Sequence, residues 1–305
     1  MQFLNLKKSL IRTLSILVFS FVYLVSLNNA FAAGPTSAEY GTVLNLSGKQ
    51  RMLTQKMSKE IMLIALNEDK DKNIINLTNT SNLFDKTLDG LRNGSDDLHL
   101  PATTKKRILR QLDKIEKIWK NFYPTVKSII ASGNVSAEQV ALVAEQNLPL
   151  LKQMNKAVGL YEKDAKKGGL KGDPGLAATI NLSGKQRMLT QKMSKEFLLV
   201  AYNHDFENNK LGLLETYTLF ERTLKGLKDG DDSLGLPPTK TPHIVKQLAV
   251  VNKLWVEFKP IVEFAANYKT KQITKDKISL LANKNLPLLK EMNKAVGLYE
   301  KESNK

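Results

Sequence analysis

The chain has 305 residues, no cysteine, and 46 Lys and Arg against 30 Asp and Glu, giving a formal charge of +16. Lacking thiols, it has no disulfides, thiolate zinc sites, iron–sulfur clusters or covalent c-type haem, so apolar cores must hold the fold. A charge of this size attracts anions, acidic surfaces or anionic lipid.

At the N-terminus, Lys7, Lys8 and Arg12 precede an apolar run from Leu14 to Leu27, and Ala30-Phe31-Ala32 has the small-x-small spacing of a cleavage site. The pattern predicts a secretory signal over residues 1–32, cut after Ala32. An uncleaved inner-membrane anchor is the competing reading, disfavoured because the apolar run is near the short end for a spanning helix, which needs ~20 residues. No later stretch is comparably apolar. The mature chain, with a formal charge of +13 once the residues before Ala33 are removed, is expected in the periplasm without a cytoplasmic output domain. Export, and lysines scattered among acids and asparagines without a compact basic patch, argue against nucleic acid as a partner.

From there the sequence is written twice. The run NLSGKQRMLTQKMSKE from Asn45 to Glu60 recurs unchanged from Asn181 to Glu196, 136 residues later. Trp119 and Pro124 recur as Trp255 and Pro260 at the same offset, and NLPLLKQMNKAVGLYE from Asn147 returns with one change from Asn285, now 138 residues later. A repeat of this length signals two copies of one structural unit.

Each copy divides alike. A first helix is predicted from about Thr42 to Asn67, and from Ala177 to Asn203 in the second copy. The second helix is predicted from about Lys72 to Leu91, and from Glu207 to Leu227. Asn93-Gly94 and Asp229-Gly230 supply turns that tolerate left-handed backbone. A third helix is expected to start near Pro101, or near Thr241-Pro242, since proline suits the first helical turn. It carries Trp119 or Trp255 toward the core and ends around Ile130 or Tyr268. Ser136, followed three residues on by Gln139, reads as a capping box for a fourth helix running to about Lys163, and Thr274 opens its counterpart. Pro149 and Pro287 fall inside these fourth helices, where they imply either a kink or a short segment followed by a fresh helix.

Four helices joined by short turns make an up-down-up-down bundle. The expected fold is therefore all-α: two tandem four-helix bundles, over residues 33–165 and 176–305, with a Gly-rich linker over 166–175. An even number of antiparallel helices brings each unit's exit back to its entrance. The second bundle can then start beside the first, in the same orientation, as an intramolecular pseudo-dimer. End-to-end stacking is the alternative, opposed by three glycines and a proline in the junction.

On a helical wheel, Leu46, Leu53, Met57, Ile61 and Ile64 form one stripe, as do Leu182, Leu189, Met193, Phe197 and Val200; these are core positions. A second stripe centred on Arg51 contains Ser47, Gly48, Thr54, Gln55 and Ser58, and its copy around Arg187 contains Ser183, Gly184, Thr190, Gln191 and Ser194. Directly after the identical run, the 22 residues Ile61–Asn82 and Phe197–Thr218 agree at only seven positions. Exposed polar positions tolerate change, so an unchanged polar stripe suggests that it touches something. If the two first helices lie side by side, Arg51 and Arg187 face one another, and a small oxyanion between them, closed in by backbone or hydroxyl groups, relieves their repulsion. The residues alone leave solvated arginines, and arginines paired with Glu or Asp, as competing readings.

The motif Asn45-x-x-Gly48-x-x-Arg51-Met52-Leu53-x-Gln55-x-Met57, with its copy from Asn181 to Met193, resembles the signature of the N-terminal sensor family of type IV pili methyl-accepting chemotaxis transducers. That family is similar in turn to the periplasmic sensor of nitrate/nitrite-responsive histidine kinases. The resemblance implies a periplasmic four-helix bundle that dimerises through its first helix, with nitrate held between one arginine from each partner. The arginines fall on Arg51 and Arg187, with Asn45, Asn181, Gly48 and Gly184 at the flanking motif positions and Gln55 and Gln191 one turn on. Three departures are expected: both sensor units sit on one chain, the pair of sites would be built within one molecule, and no exit helix, linker or signalling domain of a receptor is read. A signal would therefore pass through a separate membrane receptor, histidine kinase or pilus-system protein.

Other groups have plainer readings. His99, His204 and His243 lack metal spacing and read as surface or loop residues. The Asp229–Ser233 cluster reads as a polar turn, lacking a full calcium loop. Tyr161 and Tyr299 either pack across the bundle or face the linker. No nucleophile–base motif or phosphate-binding glycine loop occurs, so neither an enzyme, a cofactor nor a metal is expected. The leading function is recognition of a small anion, nitrate or nitrite by resemblance; the alternative is a ligand-independent interaction or structural module accessory to a chemoreceptor or pilus system.

Overall fold

The computed structural model describes residues 34–171 and 175–303. The leader expected over residues 1–32 lies outside the described residues, as do Gly172, Asp173 and Pro174 of the linker. The helices are α1 (Ser37–Ala65), α2 (Lys70–Asn93), α3 (Lys106–Ser132) and α4 (Ala137–Gly168), then α5 (Leu176–Ala201), α6 (Phe206–Asp229), α7 (Pro242–Ala266) and α8 (Lys275–Glu302). One 3-10 turn, Asp232–Leu234, follows α6. The all-α reading and the tandem bundles hold.

Local chemistry explains most boundaries. Thr36 and Glu39 form a capping box at the start of α1, so this helix begins five residues before the expected Thr42. Ser136 and Gln139 form the expected box at α4. Replacing Ser136 with Ala removes the acceptor for the Gln139 N–H and is expected to cost about 1 kcal/mol, read as a lower urea midpoint with unchanged slope. Gly94 and Gly230, at φ 86° and 89°, end α2 and α6; a Cβ on Gly94 would lie 3.1 Å from the Ala102 nitrogen.

The third helix corrects one expectation. It starts at Lys106 and not near Pro101, because Ser95 and Leu100 exchange backbone hydrogen bonds of 2.9 Å and Thr103 is tied to the end of α2 through Leu91 and Arg92. These bonds hold the chain extended past the proline. In the second copy α7 begins at Pro242, as read. Pro149 and Pro287 lie within continuous helices. The first junction is also shorter than expected, since α4 continues to Gly168 before Gly169 ends it in left-handed backbone.

Each bundle closes on an aromatic pair. Trp119 packs on Phe84 and Trp255 on Phe220, both at 4.5 Å between ring centres, with the indole N–H groups donating to Asp85 and Glu221. These tryptophans are the core anchors expected. Tyr161 and Tyr299 pack across their bundles: each hydroxyl meets Thr103 or Thr239.

The most extensive helix pairing in the molecule is between α1 and α5. These helices run side by side in the same direction. Gly48 lies opposite Gly184, and Lys59 reaches the Asn285 that is itself bonded to Thr190 and Ser194 of α5. The pseudo-dimer is therefore built through the first helix of each copy. Both apolar stripes face inward, although Leu46 and Leu182 at their N-terminal ends are only partly buried.

Candidate functional site

The unchanged polar stripe lies in this seam. Ser47, Gly48, Arg51, Gln55 and Ser58 of α1, and their counterparts on α5, are all buried. Glycines set the spacing: a Cβ added to Gly48 would lie 3.3 Å from Arg51 Nη2, 3.5 Å from Arg187 Nη2 and 3.9 Å from the Gly184 Cα. Gly184 has the mirror-image surroundings, at 3.4 Å from both Nη2 atoms. Both guanidinium groups thus occupy one small volume on the pseudo-two-fold axis.

Arg51 is 3% exposed and Arg187 2%. Their contacts are reciprocal. Arg51 Nη2 donates to the Asn181 carbonyl and Arg187 Nη2 to the Asn45 carbonyl, each at 2.9 Å. Arg51 Nη1 reaches Asn155 of α4 and Arg187 Nη1 reaches Asn293 of α8, each at 3.4 Å. Every one of these partners is neutral, and the Nε atom of each arginine is buried without a partner. Burial, and for Arg51 also the facing Arg187, push the guanidinium pKa down, while Glu162 opposes the shift at Arg51 and Glu300 opposes it at Arg187.

The flanking asparagines serve through their backbones. Their side chains bond outward instead: Asn45 donates to Glu300 of α8 at 2.6 Å and Asn181 to Glu162 of α4 at 2.5 Å. Of the backbone and hydroxyl groups expected to close the site, the Asn45 and Asn181 carbonyls meet the arginines, and the hydroxyls turn to their own helices. Ser47, Thr54 and Ser58 donate back to carbonyls of their own helix, at Leu44, Arg51 and Thr54. Gln55 and Gln191 sit one turn below the arginines, each donating to the adjacent threonine hydroxyl and each leaving a buried Oε1 unpartnered.

Below the glutamines lies a second charged layer. Lys59 donates to Asn285 at 3.0 Å and Lys195 to Asn147 at 3.2 Å, each bond crossing from one bundle to the other. Asn147 and Asn285 also donate to α1 and α5, through the carbonyls of Thr54 and Thr190 and the hydroxyls of Ser58 and Ser194. Both lysines are pushed down to about 8, chiefly by burial. Sequence reasoning missed these groups and the fourth-helix partners Asn155 and Glu162 of α4 and Asn293 and Glu300 of α8. A signal was present, since all the partners lie in the repeated run that begins at Asn147 and Asn285, but only folding sets Asn155 and Asn293 against the first helix of their own copy and Glu162 and Glu300 against that of the other.

Such a seam holds four buried cations on one axis, Arg51, Arg187, Lys59 and Lys195, with the arginines bonded only to neutral groups. No helix among the described residues is long and apolar enough to cross a membrane. No curated protein matches the chain. The family described as Type IV pili methyl-accepting chemotaxis transducer N-term matches residues 36–162 and again residues 171–280. Matched twice over most of its length, the chain belongs to this family of non-catalytic sensory domains of chemoreceptor and pilus systems.

Proposed function

We propose that the chain is a periplasmic sensory module that binds a small oxyanion, nitrate or nitrite first among candidates, between Arg51 and Arg187, and passes the change to a separate membrane partner. One observation carries the reading: two almost fully buried guanidinium groups converge on the axis with unpartnered Nε atoms and only neutral hydrogen-bond partners. A planar monoanion matches the planar donor forks, and its charge offsets the repulsion between them. Drawing the arginines together moves α1 against α5. Asn155 and Asn293 then carry that shift to α4 and α8, the helices that end at the bundle exits. The reading that pairs each arginine with an acid is less favoured, since neither guanidinium is among the ion pairs of the described residues.

Titration calorimetry with nitrate, nitrite, sulfate and chloride tests this. Nitrate or nitrite is expected to bind the wild-type chain, with affinity at least about tenfold weaker in R51A and in R187A, a loss of about 1.4 kcal/mol or more. Unchanged affinity in both folded variants rejects the clamp. Failure of the wild-type chain to bind any of the four anions rejects the anion-sensing reading and leaves the family fold with the interaction module.

A further inference from the structure

The two bundles share a fold but not a surface. Eleven large hydrophobic side chains are exposed among the described residues; Ile75 and Leu148 belong to the first copy and the other nine to the second. The contrast is sharpest on the third helix of each bundle. Along α7, Val245, Ala249, Asn252, Val256 and Pro260 follow one another at intervals of three or four residues and fall in one narrow outward stripe, with Val256 62% exposed. At three of these positions the first copy has charges: Asp113, Glu116 and Lys120 stand where α7 has Ala249, Asn252 and Val256.

The flanks differ in the same sense. In the first bundle Arg92 spans from α2 to Asp113 and Glu116, at 2.5 Å each, and Tyr123 stacks on Trp119 at 4.7 Å. In the second bundle Lys228 pairs with its own neighbour Asp229, and Lys259 stands where Tyr123 would be. An open groove of about 540 Å³, floored by Leu224, Leu248 and Trp255, remains between α6 and α7. Another of about 630 Å³ runs along the other side of α7, past Val250 and Leu286.

Charge selects the occupant. The acids lining both grooves are each paired with a lysine of this chain. Lys225, Lys246, Lys253 and Lys290 are in none of the ion pairs among the described residues. With Lys259 shared by Glu221 and Glu263, eight lysines stand against five acids on this face, and a second copy would bring the same positive surplus to the contact. We propose that the outer face of α7 is a docking seam for an amphipathic helix of a different protein, one carrying apolar residues at heptad spacing flanked by carboxylates. Spacing of three and four residues is what a packed helix pair requires, and flanking charges set which partner is accepted. The inference stands independently of the anion site, since none of its residues lies in the α1–α5 seam.

The probe is a stapled synthetic helix about three heptads long, with Leu at the a and d positions and Glu at e and g. Its binding to the full chain is read by fluorescence anisotropy. A triple variant, A249D/N252E/V256K, gives α7 the first copy's residues at solvent-facing positions, so the fold is kept. The Glu peptide is expected to bind the wild-type chain, to weaken as salt is added, and to lose at least about tenfold in affinity to the triple variant. Absence of binding, equal binding to the triple variant, or equal binding by a peptide with Lys at e and g overturns the proposal. So does sedimentation showing a wild-type dimer that the triple variant dissolves, which would make the occupant a second copy.

Discussion

Between about pH 8 and the ordinary lysine value of 10.5, the folded chain is expected to gain stability as the pH rises. Lys59 and Lys195 cause this. Burial pushes both down to about 8; the neighbouring Glu60 and Glu196 oppose the shift, while Lys56 and Lys72 on one side and Lys192 on the other reinforce it. Below pH 8 both lysines are charged in folded and unfolded chains alike, so the full burial penalty is present. Across the window above, the unfolded chain still holds the protons that the folded chain has released, and stability climbs by roughly 1.4 kcal/mol per pH unit for each lysine. The gain is opposed at higher pH. Tyr161 and Tyr299 are pushed up to about 12 by burial, so past the ordinary tyrosine value of 10.0 the unfolded chain ionises first and the folded state loses ground. Urea melts at intervals from pH 7 to pH 11 would show the rise, and the K59M/K195M variant should reduce it, leaving the part due to Arg51 and Arg187, which burial also pushes down. A wild-type stability that falls steadily over the first three of those units would mean that the lysines keep their protons in the seam.

The second large effect combines opposite changes in stability and function. Replacing Arg51 and Arg187 together with Met is expected to make the anion-free chain more stable by about 1–4 kcal/mol, while abolishing any thermal shift on adding nitrate. Methionine keeps a long flexible stem against Gly48 and Gly184 and removes two desolvated like charges. The Asn45 and Asn181 carbonyls, which lose their Nη2 donors, lie inside helices and keep their backbone partners. Melting in chloride-free buffer with and without nitrate separates the two effects. If the double variant is less stable than the wild-type chain without anion, the guanidinium groups are structural cross-links and the seam is not strained by their charge.

Much of this architecture is legible in the linear chain. The exact recurrence of Asn45 to Glu60, the Asn93-Gly94 and Asp229-Gly230 turns and the Ser136 capping box are local signals, and local hydrogen bonding and backbone freedom enforce them. Two copies of one amphipathic pattern also force the all-α class, because each stripe of period 3.6 must be buried on another helix. Even the importance of the Arg51 stripe could be read, since a polar face left unchanged beside a diverged segment is under some contact constraint.

What the sequence could not decide are matters of long-range approach. Pro101 obeys the rule for a helix start, yet α3 begins at Lys106, because backbone pairing between Ser95 and Leu100 and the Thr103 bond to Leu91 outweigh a local preference. The destination of the Asn147 and Asn285 runs, with Lys59 crossing to one bundle and Lys195 to the other, depends on which helix faces which after folding. The outward apolar stripe of α7 looks like one more core-facing set until Trp255 and Phe258 are seen to fill the interior. Periodicity fixes which residues share a face; only packing of the whole chain determines what that face meets.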